Sequence, residues 1–298
     1  MKAIKKVWNK TLSLYCYKRC GFSVASLFFI KSLMCKVYMH FAVFMFRKKW
    51  LVKKDGVSVF DFNGALIPGI STFEFVYMLK NVFEDTFLIS CFFEDKYDKK
   101  TVELVDSITA EGPYGYEDGR FDVTVKEGDV VIDAGAWVGD FGAYSASRGA
   151  LAYCFEPASV MYGLLCETAK LNENKIVPIK LALGDEDSVG FISGGDGGAS
   201  SAKISSDKMG EESWVTTLDS FVKEHNLERV DFIKSDIEGF ERNLLMGARE
   251  TLRKFAPKLA ICTYHLPDDP IVLAQIIKEA NPNYKIVQMR HKLFAAVV

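Results

Sequence analysis

The sequence predicts an α/β fold: a mostly parallel β-sheet with helices on both faces and an antiparallel hairpin at its end. From residue 130 onward, apolar runs of strand length alternate with helical runs, which is the pattern of parallel strands joined by helices. The last two apolar runs, 285–289 and 293–298, lie too close together for an intervening helix. We therefore expect them to pair antiparallel.

The elements are expected in a regular order along the chain. Each strand run is mainly apolar, as is typical of strands buried on both faces. Residues 193–206 are rich in glycine and serine, which predicts a flexible loop over the sheet edge. The expected strands before the hairpin are 130–132, 151–155, 176–183, 230–235 and 259–263. The expected helices are 141–148, 160–171, 240–254 and 270–280, and residues 215–222 are expected to lead into a further short helix.

The first 54 residues differ from the rest in charge. They contain thirteen Lys or Arg and no acid, although the whole chain has a formal net charge of −2. Residues 23–46 are apolar and aromatic but include Lys31 and Lys36, which argue against a membrane-spanning helix. Two interpretations stay open: an interfacial helix on an anionic membrane surface, or a helix packed on the folded domain or on a second subunit. We expect no nucleic-acid partner.

Composition also predicts the domain boundaries and the compartment. Seven scattered cysteines form no C-x-x-C pair, which is typical of reduced thiols in the cytoplasm. The basic extension covers 1–54, residues 55–111 are expected to cap the sheet or shape a substrate pocket, and 112–298 form the main domain. The loop at 111–116 holds two tyrosines, and either a substrate loop or a plain linker fits it.

Residues 130–157 carry the most information. They predict a strand, a glycine turn at Asp133 and Gly135, a helix, a second strand and an acid, Glu156. In nucleoside-binding α/β units the ligand lies over the carboxyl ends of parallel strands. An acid about 20 residues past the turn accepts hydrogen bonds from the ribose.

The turn argues against a dinucleotide. A pyrophosphate requires G-x-G-x-x-G, but the second and third glycine positions, counted from Gly135, hold Trp137 and Asp140. S-adenosylmethionine (SAM) contains an adenosine without phosphate, and its positive charges suit a pocket that carries Asp133, with Asp140 as a second candidate acid. We therefore favour SAM over NAD.

Further acids and a histidine follow the later strands. Asp236 and Glu238 follow 230–235, and His265 follows 259–263. Because the carboxyl ends of neighbouring parallel strands meet at one edge, these residues are expected to rim one crevice with Asp133 and Glu156. The residues after Asp236 are Ile-Glu-Gly rather than the Pro-Pro-aromatic run usual in amino methyltransferases, which favours an oxygen acceptor.

At these positions the sequence resembles the FkbM family of SAM-dependent methyltransferases, over roughly residues 112–298. The resemblance rests, in order, on VVIDAGAWVGDFG, CFEP, LALGDE, WVTTLDSF, DFIKSDIEGFE and AICTYHLPDD. It implies a class I Rossmann-like methyltransferase fold with a seven-stranded sheet. It also implies methyl transfer from SAM, usually to a hydroxyl of a sugar, glycolipid or polyketide.

The family's site residues carry over by position. The resemblance implies that Asp133, Gly135, Gly139 and Glu156 hold SAM, and that Asp236, Glu238 and His265 lie near the methyl donor and acceptor. We also expect Asp185, in LALGDE, to contact the cofactor. Trp137 departs from the family, which more often has a smaller or polar residue there, such as Asn.

The chemistry of hydroxyl methylation leaves several roles open. His265 is the first candidate for general base, because its ordinary pKa lies near working pH, and Glu238 is the alternative. A third interpretation is that Asp236, Glu238 and His265 bind a divalent metal that orients the hydroxyl. The rival functions are a catalytically inactive, membrane-associated SAM-binding module and a NAD-dependent oxidoreductase.

Overall fold

The computed structural model describes residues 51–62, 64–69, 114–193, 203–205, 210–289 and 291–298. All of these from residue 52 onward belong to one compact unit. The predicted basic extension lies outside the described residues except for 51–54, as do most of the region 55–111 and most of the loop at 193–206.

The described strands and helices are numbered here in chain order. The strands are β1 (Leu51–Lys54), β2 (Val57–Phe62), β3 (Ala65–Pro68), β4 (Tyr116–Glu117), β5 (Asp122–Val123), β6 (Val130–Ala134), β7 (Leu151–Phe155), β8 (Ile176–Ile179), β9 (Ala182–Gly184), β10 (Ser188–Ser193), β11 (Lys203–Ser205), β12 (Glu211–Thr217), β13 (Phe232–Ser235), β14 (Lys258–Cys262), β15 (Tyr284–Met289) and β16 (Lys292–Val297). The helices are α1 (Asp140–Ser147), α2 (Ser159–Leu171), α3 (Leu218–Glu224), α4 (Glu241–Met246), α5 (Arg249–Lys254) and α6 (Asp269–Ala280).

A seven-stranded sheet forms the centre of the fold, in the order β15-β16-β14-β13-β6-β7-β8. Strands β8, β7, β6, β13 and β14 pair parallel, while β16 pairs antiparallel with both β14 and β15. This confirms the predicted mostly parallel sheet with an antiparallel C-terminal hairpin. The short turn between β15 and β16 leaves no room for a crossover helix, so β16 must reverse direction.

The two faces of the sheet bury different side chains. On one face, Ile132, Ile233 and Ile261 belong to an apolar cluster with residues of α3, α4, α5 and α6. On the other, Phe141 of α1 packs against Phe232 of β13. Because side chains alternate along a strand, the next inward position after Phe232 on this second face is Lys234. Lys234, and Asp133 beside it on β6, therefore lie on the face that α1 covers.

Two predicted elements are interrupted in the structure. The helix expected over 240–254 divides into α4 and α5 at Gly247, a residue of low helix propensity. The backbone there lies so close to Gly184 that an added Cβ would be 1.9 Å from its carbonyl oxygen, so only glycine fits. The side chain of Asp219 accepts the Glu250 and Thr251 N–H groups at the start of α5.

The strand expected over 176–183 also divides. Its first part, β8, pairs with β7 in the main sheet, while β9 pairs parallel with β12 in a separate four-stranded sheet, in the order β11-β10-β12-β9. Within the predicted loop at 193–206, residues 203–205 form strand β11. A further three-stranded sheet, β1-β2-β3, precedes the main domain. Of the helices that the structure describes, none combines the length and the hydropathy needed to cross a membrane.

Candidate active site

A cavity opens at the carboxyl ends of β6, β7 and β13. It encloses about 660 Å³ of empty space, part of it continuous with solvent. Its walls come from the turns after these strands and from the start of the second sheet. The lining residues are Ala134, Gly135, Trp137, Phe155, Glu156, Pro157, Ala158, Met161, Leu181, Ala182, Leu183, Asp236, Ile237, Glu238 and Phe240.

Gly135 allows the turn after β6 to lie directly against the turn after β13. Its φ is +74°, and an added Cβ would lie 2.0 Å from the backbone oxygen of Asp236. Both the left-handed conformation and the close approach require glycine. The glycine recognised in the sequence therefore closes one wall of the cavity, where two strand ends meet.

Glu156 lies in the cavity wall and is held by backbone N–H groups. Trp137 N–H donates to Oε2 at 2.9 Å, and Ala158 N–H donates to Oε1 at 2.9 Å. Burial raises the pKa of Glu156 to about 7, against the lowering effect of these two hydrogen bonds. A carboxylate has about four lone-pair sites, so Glu156 retains capacity to accept hydroxyl donors from a ligand.

Trp137 adopts an uncommon backbone conformation in this wall. Its φ of 50° lies in the left-handed region, which Asn enters far more easily than a bulky residue does. Its N–H, oriented by this conformation, is the group that contacts Glu156. The backbone N–H of Trp137 therefore helps to hold Glu156 in the cavity wall, whatever side chain the position carries.

Asp133 lies beneath the turn and does not line the cavity. It is fully buried, with Oδ1 3.0 Å from Lys234 Nζ, and the Cys154 thiol donates weakly to Oδ2 at 3.7 Å. Lys234 Nζ also donates to the Gly135 carbonyl at 2.6 Å. Burial lowers the pKa of Lys234, but Asp133 and other nearby carboxylates raise it by more, so the ammonium stays charged. Sequence reasoning missed Lys234 as the partner of Asp133.

Gly139 and Asp185 also lie outside the cavity lining. Gly139 has a φ of +83° at the start of α1, and an added Cβ would lie 2.7 Å from Leu165 Cδ1, so it serves helix packing. Asp185 is exposed, and its Oδ1 accepts a hydrogen bond from Asn243 at 2.8 Å. The contact of Asp133, Gly139 and Asp185 with a cofactor stays a prediction.

Asp236 faces the cavity with its carboxylate clamped by two phenols. Tyr114 donates to Oδ2 at 2.6 Å, and Tyr264 donates to Oδ1 at 2.9 Å. Burial raises the pKa of Asp236, but Lys234, Lys292 and the hydrogen bond from Tyr114 lower it by more, and the net pKa is below its usual value. The cavity therefore contains a fixed negative charge at this point.

His265 lies behind the cavity wall among three carboxylates. Its Nδ1 is 3.0 Å from Glu241 Oε1, and its Nε2 is 3.5 Å from Glu238 Oε2 and 3.7 Å from Asp236 Oδ1. Burial lowers the pKa of His265, but Glu241, Asp236 and Glu238 raise it above its usual value. The imidazole is thus favoured as the cation, with both nitrogens buried.

Glu241, which sequence reasoning also missed, holds this arrangement together. Its Oε1 accepts the Ile237 N–H at 2.9 Å and its Oε2 accepts the Gly239 N–H at 3.1 Å, so the carboxylate closes the turn after β13 on itself. Glu238, inside that turn, has a φ of 57°. Glu241 is the last residue of the motif DFIKSDIEGFE, so membership of this motif was the sequence signal that could have identified it.

The same cluster has the residue types of a metal site. Asp236, Glu241 and His265 each offer one ligand atom, and these atoms lie within 4.8 Å of one another. However, the three carboxylates within 3.7 Å of the His265 nitrogens favour the imidazolium, which has no lone pair with which to bind a metal. Among the described residues, the cluster is better explained as a buried imidazolium with its counter-ions than as an open cation site.

Comparison with known proteins identifies the domain. The family model described as Methyltransferase FkbM domain matches residues 133–284, just over half of the chain. The match begins at Asp133 and includes Glu156, Asp236, Glu238 and His265. No curated protein matches the chain.

Solved structures resemble the chain only distantly. A methyltransferase FkbM from Methylobacillus flagellatus KT is 19% identical with a TM-score of 0.48; the match covers 74% of this chain and 57% of that protein. Aeropyrum pernix fibrillarin with natively bound SAM is 15% identical with a TM-score of 0.36, over 58% of this chain and 68% of fibrillarin. A SAM-dependent methyltransferase from Aquifex aeolicus is 13% identical with a TM-score of 0.35, over 68% of this chain and 100% of that one. The fold class follows from the strand order of the seven-stranded sheet.

Proposed function

The chain belongs to the FkbM family of SAM-dependent methyltransferases, and from this premise we propose that it methylates a hydroxyl of a sugar, glycan or glycolipid. The observation that carries the proposal is the acid-lined cavity at the strand ends. Glu156, Asp236 and Glu238 line it, and among the described residues no Lys or Arg does. Such a lining suits a cationic nucleoside and opposes the phosphates of NAD.

Two of these acids fit the methyl donor. SAM supplies an electrophilic methyl group and carries a ribose, an ammonium and a sulfonium. Glu156 would hold the ribose, since its fixed carboxylate can accept two hydroxyl donors. Asp236 would hold the ammonium, since its carboxylate is ionised and its orientation is set by Tyr114 and Tyr264. Gly135, which also lines the cavity, adds no side chain to the wall near Glu156 and Asp236.

Glu238 is the acid best placed to take the proton from the acceptor hydroxyl. Its side chain is 20% exposed and lines the cavity, whereas that of His265 is 5% exposed and does not. A carboxylate suffices as the base because the hydroxyl becomes strongly acidic as its oxygen bonds to the methyl group. We therefore prefer Glu238 to His265, the first candidate from the sequence, and assign His265 the positioning of Glu238 through the 3.5 Å ion pair.

Titration calorimetry tests the donor site. Wild-type protein should bind S-adenosylhomocysteine and not NAD, and Glu156→Gln should weaken binding by about 1–3 kcal/mol because the amide leaves a ribose hydroxyl without its acceptor. Because the pKa of Glu156 is raised to about 7, its carboxylate forms as pH rises through that value. Wild-type affinity should therefore increase between about pH 6 and 8, and the dependence should be absent in Glu156→Gln.

Glu212→Gln, which changes an exposed residue of β12, is the matched control and should bind as wild type does. Unchanged affinity in a folded Glu156→Gln would contradict the placement of the ribose. Binding of NAD in preference to S-adenosylhomocysteine would contradict the function itself.

We further propose that residues 1–54 attach the protein to the cytoplasmic face of a membrane, where a lipid-linked or membrane-proximal glycan would be the acceptor. Support comes from their thirteen positive charges and the apolar, aromatic run at 23–46. Each Lys or Arg near an anionic surface contributes about 1 kcal/mol. The alternative, a helix that packs on the domain or on a second subunit, predicts no such attachment.

Vesicle flotation separates these two interpretations. The full-length chain should float with phosphatidylserine-containing vesicles and much less with neutral ones, and replacing Arg47, Lys48 and Lys49 by Glu should weaken attachment more than a hundredfold on the estimate of about 1 kcal/mol per charge. High salt should weaken attachment without abolishing it, because the apolar contact persists. If the full-length chain instead stays at the bottom of the gradient as a uniform oligomer, the segment is a packing helix.

A further inference from the structure

We infer that Tyr114 is a positioning residue of the donor site, which holds the Asp236 carboxylate toward the ammonium group of the nucleoside. Tyr114 lies before residues 133–284, the part of the chain that matches the family model. The inference rests on the proposed function, because Asp236 is there assigned to the ammonium.

Tyr114 contacts Asp236 through its hydroxyl, and its ring packs among neighbouring side chains. Its hydroxyl donates to Oδ2 at 2.6 Å. Two ammonium groups lie near its ring, with Lys234 Nζ 5.1 Å and Lys292 Nζ 4.1 Å from the ring centroid. The ring also packs edge-on against Phe141, at 5.5 Å between centroids. Cation–π and aromatic contacts thus fix the ring in the orientation from which its hydroxyl donates to the Asp236 carboxylate.

The segment that carries Tyr114 is anchored to the main sheet. The short hairpin of β4 and β5 follows Tyr114 directly, and β5 contacts β14 and β16. Lys258 Nζ, from β14, donates to the Thr124 carbonyl at 2.7 Å just after the hairpin. The loop at 111–116, for which a substrate loop and a plain linker both fitted the sequence, therefore delivers one side chain to the site from outside the matched domain.

The Tyr114 hydroxyl orients the Asp236 carboxylate, which the tyrosine ring alone would not do. Asp236 is faced by Lys234 of β13, Lys292 of β16, and Tyr264 and His265 after β14. Without the Tyr114 hydroxyl, Oδ2 loses this donor and the carboxylate can turn toward the lysines, while Oδ1 keeps the hydrogen bond from Tyr264 and the contact with His265. The hydroxyl thus keeps Asp236 available to a cationic ligand. Without it, Lys234 and Lys292 would compete with the ligand for the carboxylate.

The test compares two nucleosides that differ in the group Asp236 would bind. S-adenosylhomocysteine carries the ammonium, and methylthioadenosine lacks the whole amino-acid moiety. Tyr114→Phe removes only the hydroxyl and should weaken S-adenosylhomocysteine roughly three- to tenfold while leaving methylthioadenosine unchanged. Tyr116→Phe is the matched control, since its hydroxyl contacts the exposed Asp118 at 3.2 Å. This control should bind both nucleosides as wild type does.

The pH dependence gives a second readout that a purely structural role would not change. Loss of the hydrogen bond from Tyr114 raises the pKa of Asp236, so S-adenosylhomocysteine affinity should begin to fall at a higher pH in Tyr114→Phe than in wild type. Methylthioadenosine should show no such difference between the two proteins. The other groups that face Asp236 are retained in the variant, so the shift reports the missing hydroxyl.

Several outcomes would overturn the inference. Equal weakening of both nucleosides means that Tyr114 only shapes the cavity, and unchanged affinity for both means that its hydroxyl does nothing there. If Tyr114→Phe fails to fold, Tyr264→Phe must show the same selective loss, and its failure to do so counts against the inference. If wild-type protein binds neither nucleoside, the proposed function fails; if it binds both and Tyr114→Phe matches it, only the inference fails.

Discussion

Replacing Asp133 by Ala should lower the free energy of unfolding by about 3–5 kcal/mol, because the buried ammonium of Lys234 would lose its counter-ion. The two groups are 3.0 Å apart, with the Lys234 side chain 4% and the Asp133 side chain 0% exposed, so the pair is shielded from bulk solvent. Urea denaturation of the purified protein measures the change. Since the pair lies under the Gly135 turn, binding of S-adenosylhomocysteine should fall only where the fold itself is lost.

The double variant Asp133→Ala with Lys234→Met provides the control for this prediction. It removes both charges together, and it should recover much of the stability lost by Asp133→Ala, because an isolated buried charge costs more than a lost pair. If Asp133→Ala remains as stable as wild type but binds S-adenosylhomocysteine poorly, Asp133 serves the cofactor directly, as the family resemblance implies, and the structural role assigned here is wrong.

Replacing Glu238 by Gln should lower turnover by roughly 10²–10⁴ while leaving S-adenosylhomocysteine affinity close to that of wild type. The amide keeps the shape of the side chain but cannot accept a proton from the hydroxyl. Transfer of labelled methyl groups from SAM to a set of sugars and glycolipids measures turnover, and calorimetry measures binding. Glu186→Gln changes an exposed acid that is not among the lining residues of the cavity, and as the matched control it should be fully active.

His265→Ala decides between the two candidates for the base. If His265 positions Glu238, its removal should reduce turnover less than Glu238→Gln does, and the conservative His265→Gln should restore part of the loss. An inactive His265→Ala beside an active Glu238→Gln would reverse the roles and restore the first candidate from the sequence. Loss of activity on chelation, with recovery on added Mg²⁺ or Mn²⁺, would instead favour the metal interpretation.

The sequence by itself determined the mostly parallel sheet, its antiparallel last strands and the edge at which the cavity lies. Apolar runs that alternate with helices leave few ways to build a sheet, and the short connection before residues 293–298 requires an antiparallel last strand. Parallel strands place their carboxyl ends at one edge, so Glu156, Asp236 and Glu238 were predicted to meet, and all three line the cavity. These conclusions depend on periodicity and spacing, which are local properties of a chain.

Only the tertiary structure decided which acids face the cavity and which are neutralised beneath it. Asp133 and Lys234 are about 100 residues apart in sequence, and they pair because the register of β6 and β13 places them side by side on one face. Tyr114 reaches Asp236 across a separation of 122 residues, and Gly247, where a predicted helix divides, lies against the Gly184 backbone. Contacts between distant segments depend on register and packing, which local sequence patterns do not encode.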